Sequence, residues 1–126
     1  MLETIATKLP PDSLVAFVEA CLEVDDEAIR TLTDPQPMTR EVYSAGWDRF
    51  AIAADIGAKR RIVERYRETL AELRDREQRG GTLVLFARAR AQEAGRAFMA
   101  IAPTYRDRYG YGKARRGQWS IEEWRS

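Results

Sequence analysis

Residues 49–68, RFAIAADIGAKRRIVERYRE, decide how the middle of this chain folds. Apolar or small residues occupy Ile52, Ala53, Ile56, Ala58, Val63 and Tyr66 at helical spacing. Gly57 stands where a first helix would end and the chain turn, because glycine takes a positive φ without a Cβ clash. A small residue at Ala53 would let the two flanking helices approach closely. Lys59, Arg60 and Arg61 follow at once, then Arg65, so a second helix would present cations from its first turns to phosphates or base edges.

In its spacing this stretch resembles the helix-turn-helix motif, over about a sixth of the chain and at the level of the motif rather than of any particular family. The resemblance implies a small DNA-binding regulator that contacts DNA through the basic start of helix 58–79. The residues also carry another reading: two amphipathic helices joined at a glycine cap. Arg60–Glu64 and Glu72–Arg76 would then be ordinary i,i+4 pairs on a solvated face. Under that reading the chain is a small helical protein-interaction module or inhibitor, of the kind phages and other mobile elements encode. It would bind a host protein or nucleoprotein complex.

Outward from this centre the periodicity is helical throughout. Leu14, Phe17, Val18, Cys21 and Leu22 share one face of a first helix that follows Pro10-Pro11, with Asp12 or Ser13 as its N-cap. Asp25-Asp26-Glu27 suits the start of a second, short helix, with Ala28, Ile29 and Leu32 buried. Asp34-Pro35-Gln36-Pro37 reads as a stiff connector, and Thr39 as the cap of a helix that runs to Ile56 and is divided at Gly46. Gly80-Gly81 ends helix 58–79, and Thr82 can cap the next. Helix 82–102 is the most hydrophobic, with Leu83, Phe86, Ala87, Ala94, Phe98 and Ile101 on its apolar face. It is expected to lie at the centre, and Pro103 closes it. Ser120 with Glu123 fits a capping box for a short terminal helix. The fold expected is all-α: a single-domain bundle of five or six helices with a helix-turn-helix-like central pair.

With 126 residues, 44% hydrophobic and 33% charged, the chain has material for one domain with a modest core. Its net charge of +1 hides an asymmetry. Residues 1–38 carry only Lys8 and Arg30 against eight acids, whereas the basic body 39–103 and the segment 104–126 hold nineteen of the twenty-one cations. The basic part suits an anionic partner, and the acidic part either faces away from that partner or masks the basic surface. No apolar run approaches the ~18–20 residues that span a bilayer, so no membrane partner is expected. The opening MLETIATKLPPDS lacks the pattern of a secretory signal, and a cytoplasmic location is the expectation.

Catalytic signals are poor. Cys21 is the sole cysteine and there is no histidine, which removes disulfides, structural zinc and a histidine base for Ser13, Ser44 or Ser120. Cys21 reads as a small buried hydrophobe. Gly80-Gly81 lacks the Lys-Ser/Thr signature of a phosphate loop. Neither an enzyme nor a metal or other cofactor is expected.

The Tyr/Gly/Arg-rich segment 104–126 interleaves aromatic and basic residues. Arg106, Arg108, Lys113, Arg115 and Arg116 could neutralise phosphates while Tyr105, Tyr109 and Tyr111 stack on bases. They could equally form a loop whose tyrosines pack on the bundle. Trp119 and Trp124, with Tyr109 and Tyr111, are candidates for a protein contact; the two tryptophans either clamp the terminus to the body or anchor a partner. A homodimer is expected through helix 82–102 rather than through the polar end RDREQR of helix 58–79.

Overall fold

The computed structural model describes residues 8–31 and 40–125, with side chains for 8–31 and 50–125. Every regular element in them is helical: α1 (Asp12–Thr31), α2 (Arg40–Arg79), α3 (Leu83–Ile101), a 3-10 turn (Ala102–Tyr105), α4 (Tyr111–Arg115) and α5 (Ile121–Arg125). The all-α expectation holds, with five α-helices among the described residues. None of these helices is long and apolar enough to cross a membrane.

The turn at Gly57 does not exist. α2 runs unbroken for 40 residues, about 60 Å, through both Gly46 and Gly57. Gly57 has no positive φ. An internal glycine costs a helix roughly 0.5–1 kcal/mol relative to alanine. Here Ala53, Ala54 and Ala58, strong helix formers, surround it, and Ile56 and Val63 are buried on either side. Of the motif's apolar positions, Ile56, Val63 and Tyr66 reach the core, whereas Ile52 and Ala53 are exposed. There is accordingly no second helix beginning at Ala58 and no helix pair for Ala53 to bring together. Thr39, Leu32 and the connector 34–37 lie outside the described residues, as do the side chains of Val42, Tyr43 and Trp47.

α1 is likewise one helix rather than two. Asp25 and Asp26 continue it because cations neutralise them: Arg108 takes Asp25, while Arg60 of α2 and Arg30 of α1 itself take Asp26. Neither expected N-cap acts as one. The Leu14 and Val15 amides donate to the Pro11 carbonyl, Asp12 pairs with Arg74, and Ser13 Oγ donates to the Ala114 carbonyl at 2.6 Å.

This first helix, not α3, is the centre. Leu14, Val15, Phe17, Val18, Ala20, Cys21 and Leu22 are all buried, so more than one face is covered. α2 packs on one side of it; the 3-10 turn, α4 and α5 pack on others. α3 buries only a narrow stripe, Ala87, Ala91, Ala94, Gly95 and Phe98, against α2. Its small residues let it pack closely on α2. Leu83, Leu85 and Phe86 remain exposed at its start, Leu85 at 69% and Phe86 at 62%. The hairpin between α2 and α3 turns at Gly80 and Gly81, both at positive φ, and the Thr82 side chain makes no cap hydrogen bond.

A charge ladder aligns α1 with α2. Asp12, Glu19 and Asp26 recur every seventh residue on one helix, and Arg60, Arg67 and Arg74 on the other. Antiparallel packing joins them as Asp12–Arg74, Glu19–Arg67 and Asp26–Arg60. Arg74 Nη2 donates to both Asp12 oxygens, at 2.7 and 2.9 Å. Arg67 donates through Nε and Nη2 to Glu19, and these bonds hold its pKa above the usual arginine value despite partial burial. Exposed pairs of this kind contribute only ~0.2–1 kcal/mol each. Burial beneath them does more: Tyr66 stacks on Phe98 at 5.4 Å between centroids, and its hydroxyl donates to the Pro10 carbonyl at 2.9 Å.

Candidate aromatic cleft and the basic residues

The nine cations that the sequence singles out do not form one surface. Four are engaged within the molecule. Lys59 pairs with Asp55 at 2.8 Å and lies over the Tyr105 ring. Burial works against its charge, but Asp55 and Tyr105 outweigh that, and its pKa is raised. Arg60 faces Asp26 at 3.4 Å. Arg108 donates to both Asp25 oxygens at 2.7 and 2.8 Å and also lies over the Tyr105 ring. Lys113 pairs with Glu123. Arg61, Arg65, Arg106, Arg115 and Arg116 are exposed and have no ion pair among the described residues.

The start of the supposed recognition helix is also electrostatically wrong for phosphate. Arg60 opens onto a groove of about 620 Å³ between α1 and α2, whose lining includes Glu19, Glu23, Asp26, Glu27 and Glu64. The acidic part of the chain therefore covers basic residues of α2 and of the C-terminal segment, as the masking alternative proposed. Its seven-residue spacing of acids, matched to that of three arginines, is the signal from which the pairing could have been read.

The C-terminal aromatics make a different arrangement. Pro103 ends α3 in the 3-10 turn, and the chain then doubles back at Gly110, which has a φ of 100°. That turn leaves Tyr109 almost wholly outside, 90% exposed. Tyr111 and Trp119 go inward onto Phe17, edge to face at 6.1 and 5.4 Å. Trp124, half-buried, leans on Trp119 at 5.9 Å. α5 is held by the Ser120 hydroxyl, which accepts from the Glu123 amide at 3.3 Å. The Glu123 carboxylate of the expected capping box also accepts from Lys113. The Ser120 hydroxyl and the backbone amide of Glu122 hold the exposed Glu122 carboxyl below its usual pKa, the backbone bond foremost.

Between these residues lies a cleft of about 300 Å³, lined by Tyr109, Gly110, Lys113, Trp119, Glu123 and Trp124 among others. Trp119 thus clamps the terminus to the core, whereas Tyr109 and the outer face of Trp124 are left for contact. One atom stands out. Trp119 Nε1 is buried and has no hydrogen-bond partner among the described residues. An unpaired buried donor costs roughly 1–3 kcal/mol. It sits against Gly110, where a Cβ would come within 3.0 Å of it. Nothing in the sequence pattern distinguishes this glycine from Gly112 or Gly117, so the cleft was not legible there.

Cys21 is buried beside Arg108 and Asp25. Burial foremost, opposed by Arg108, pushes its thiol up to about 11, and it is not a nucleophile at neutral pH. Comparison of the chain with protein-family models, with curated proteins and with solved structures finds no match.

Proposed function

We propose that this chain is a non-enzymatic helical protein-interaction module that binds its partner through the C-terminal aromatic cleft. The observation that carries this reading is Tyr109, exposed at 90% beside the accessible face of Trp124 and a cleft of about 300 Å³. Large aromatic residues anchor protein interfaces because they bury much area at little loss of side-chain freedom. The unbroken α2 and the internal pairing of Lys59, Arg60, Arg108 and Lys113 remove the support for a regulator reading DNA through residues 58–65. The test uses the full chain and its Tyr109→Ala/Trp124→Ala variant as baits with equal thermal stability. A partner retained by the first and lost by the second supports the reading; equal retention overturns it.

The five arginines without an ion pair among the described residues favour a second reading, weak nucleic-acid binding through Arg106, Arg115 and Arg116. A gel shift across salt concentrations separates the two. Binding through phosphates falls steeply with salt, and each contact removed by Arg→Ala lowers the log–log slope by about 0.9 on duplex DNA.

A further inference from the structure

We propose that the tip of the α2–α3 hairpin is a second contact surface, which inserts Leu85 and Phe86 into an anionic lipid surface. This goes beyond the protein contact at the aromatic cleft and uses none of its residues. It asks less of the chain than a spanning helix does, because only the end of a hairpin enters, and only one leaflet.

The apolar residues stand at the end of the molecule. Arg90 pairs with Glu72, so the antiparallel register sets residues 83–86 of α3 alongside 76–79 of α2. Asp12, the first residue of α1, pairs with Arg74. Leu83, Leu85 and Phe86 therefore lie about 3–8 Å beyond the start of α1 along the hairpin. Interfacial helices bury their apolar face to a similar depth, roughly 5–10 Å. Val84 and Ala87 of the same turns pack into the helix pair, whereas Leu83, Leu85 and Phe86 are each exposed by half or more.

The charge around them is cationic. Residues 74–90 hold five arginines against two acids, Asp75 and Glu77. Asp12 and Glu72 engage Arg74 and Arg90, and Asp75 is held by Arg79. Glu77 lines a hollow with Leu9, Pro10 and Pro11. Arg76 and Arg88 make no ion pair among the described residues and bracket the apolar three in sequence. A second copy is the poorer occupant. A stable protein interface takes roughly 20–30 residues a side, and two such tips would bring like charges together. A bilayer requires no matching shape; binding grows with the apolar area buried and with the attraction of cations to anionic headgroups.

The experiment is co-sedimentation of the full chain with vesicles of phosphatidylcholine and phosphatidylserine in equal parts, and with phosphatidylcholine alone. Leu85→Ser/Phe86→Ser and Arg76→Gln/Arg88→Gln accompany the wild type, each checked for an unchanged circular dichroism melt. The wild type is expected to bind the mixed vesicles, and binding to fall at least tenfold on phosphatidylcholine alone and in each variant. Insertion is read from a bimane label carried by Leu85→Cys, which the buried Cys21 does not compete for. Its emission should move to the blue on mixed vesicles. Absence of binding to mixed vesicles overturns the proposal. So does binding that Leu85→Ser/Phe86→Ser leaves intact, since that is adhesion of arginines elsewhere on the surface. A wild-type mass of two chains in light scattering, reduced to 14.4 kDa by Leu85→Ser/Phe86→Ser, gives the patch to a second copy and overturns it as well.

Discussion

Gly110 has no side chain because Trp119 occupies the space that one would need. A Cβ at Gly110 would lie 3.0 Å from Trp119 Nε1 and 3.2 Å from Phe17 Cε2, at a φ of 100° that other residues rarely adopt. One glycine therefore sets both the turn that exposes Tyr109 and the seat of the indole beneath it.

Gly110→Ala should destabilise the chain by more than about 1 kcal/mol, from strain and from displacement of Trp119. Urea unfolding followed by tryptophan fluorescence measures this. A midpoint within error of wild type would mean that the Trp119 seat is looser than described.

Gly57→Ala should do the opposite. Its Cβ would meet only Arg61 Nη1, at 3.8 Å, and the helix passes straight through. Stabilisation of about 0.5–1 kcal/mol is expected. A loss of stability would restore a turn with positive φ at this position, and with it the helix-turn-helix reading.

Alkaline pH should weaken the fold through Cys21. The unfolded thiol loses its proton near pH 9.0, the folded one at about 11. Between those values the unfolded state binds fewer protons, so stability falls as pH rises; below pH 9.0 the contribution is fully present. The loss should reach at most about 3 kcal/mol. Urea midpoints at pH 8, 9.5 and 10.5 should decline, less steeply in Cys21→Ala. Tyr66 and Tyr105, both raised foremost by burial, add to the slope at higher pH. Reaction of the folded thiol with Ellman's reagent at pH 8 would contradict its burial.

A homodimer through helix 82–102 would bury Leu83, Leu85 and Phe86, which are exposed at the start of α3. Leu85→Lys/Phe86→Lys would then leave the circular dichroism melt unchanged and reduce the mass in light scattering to 14.4 kDa. A wild-type mass of 14.4 kDa at high concentration would dispose of the dimer.

Helix type was legible because 3–4 residue spacing is a local property of the chain. The Gly80-Gly81 turn was legible because both glycines adopt the positive φ that only they tolerate easily. Gly57 misled because a glycine permits a turn without requiring one; the choice was made by Ile56 and Val63, which bury on the same face only if the helix continues. Asp25-Asp26 misled in the same manner, since Arg60 and Arg108, far away in sequence, make them tolerable inside a helix. The two tryptophans were expected either to clamp the terminus or to anchor a partner; Trp119 is buried against Phe17 and Trp124 only partly buried. The orphaned indole N–H depended on a contact across the Gly110 turn, which no spacing reveals.

The seven-residue repeat that joins α1 to α2 would by itself fit more than one register. Ile56, Val63 and Leu70 recur at the same interval as Arg60, Arg67 and Arg74. Sliding α1 by one repeat would set Asp12 against Arg67 and Glu19 against Arg60, with a single rung forfeited. A vernier whose teeth are alike can be read only by a mark that does not recur. Here the marks are the Tyr66 hydroxyl on the Pro10 carbonyl and Arg108 on Asp25, each made once. The repeat supplies grip, and these two unrepeated contacts tell the helices which notch to occupy.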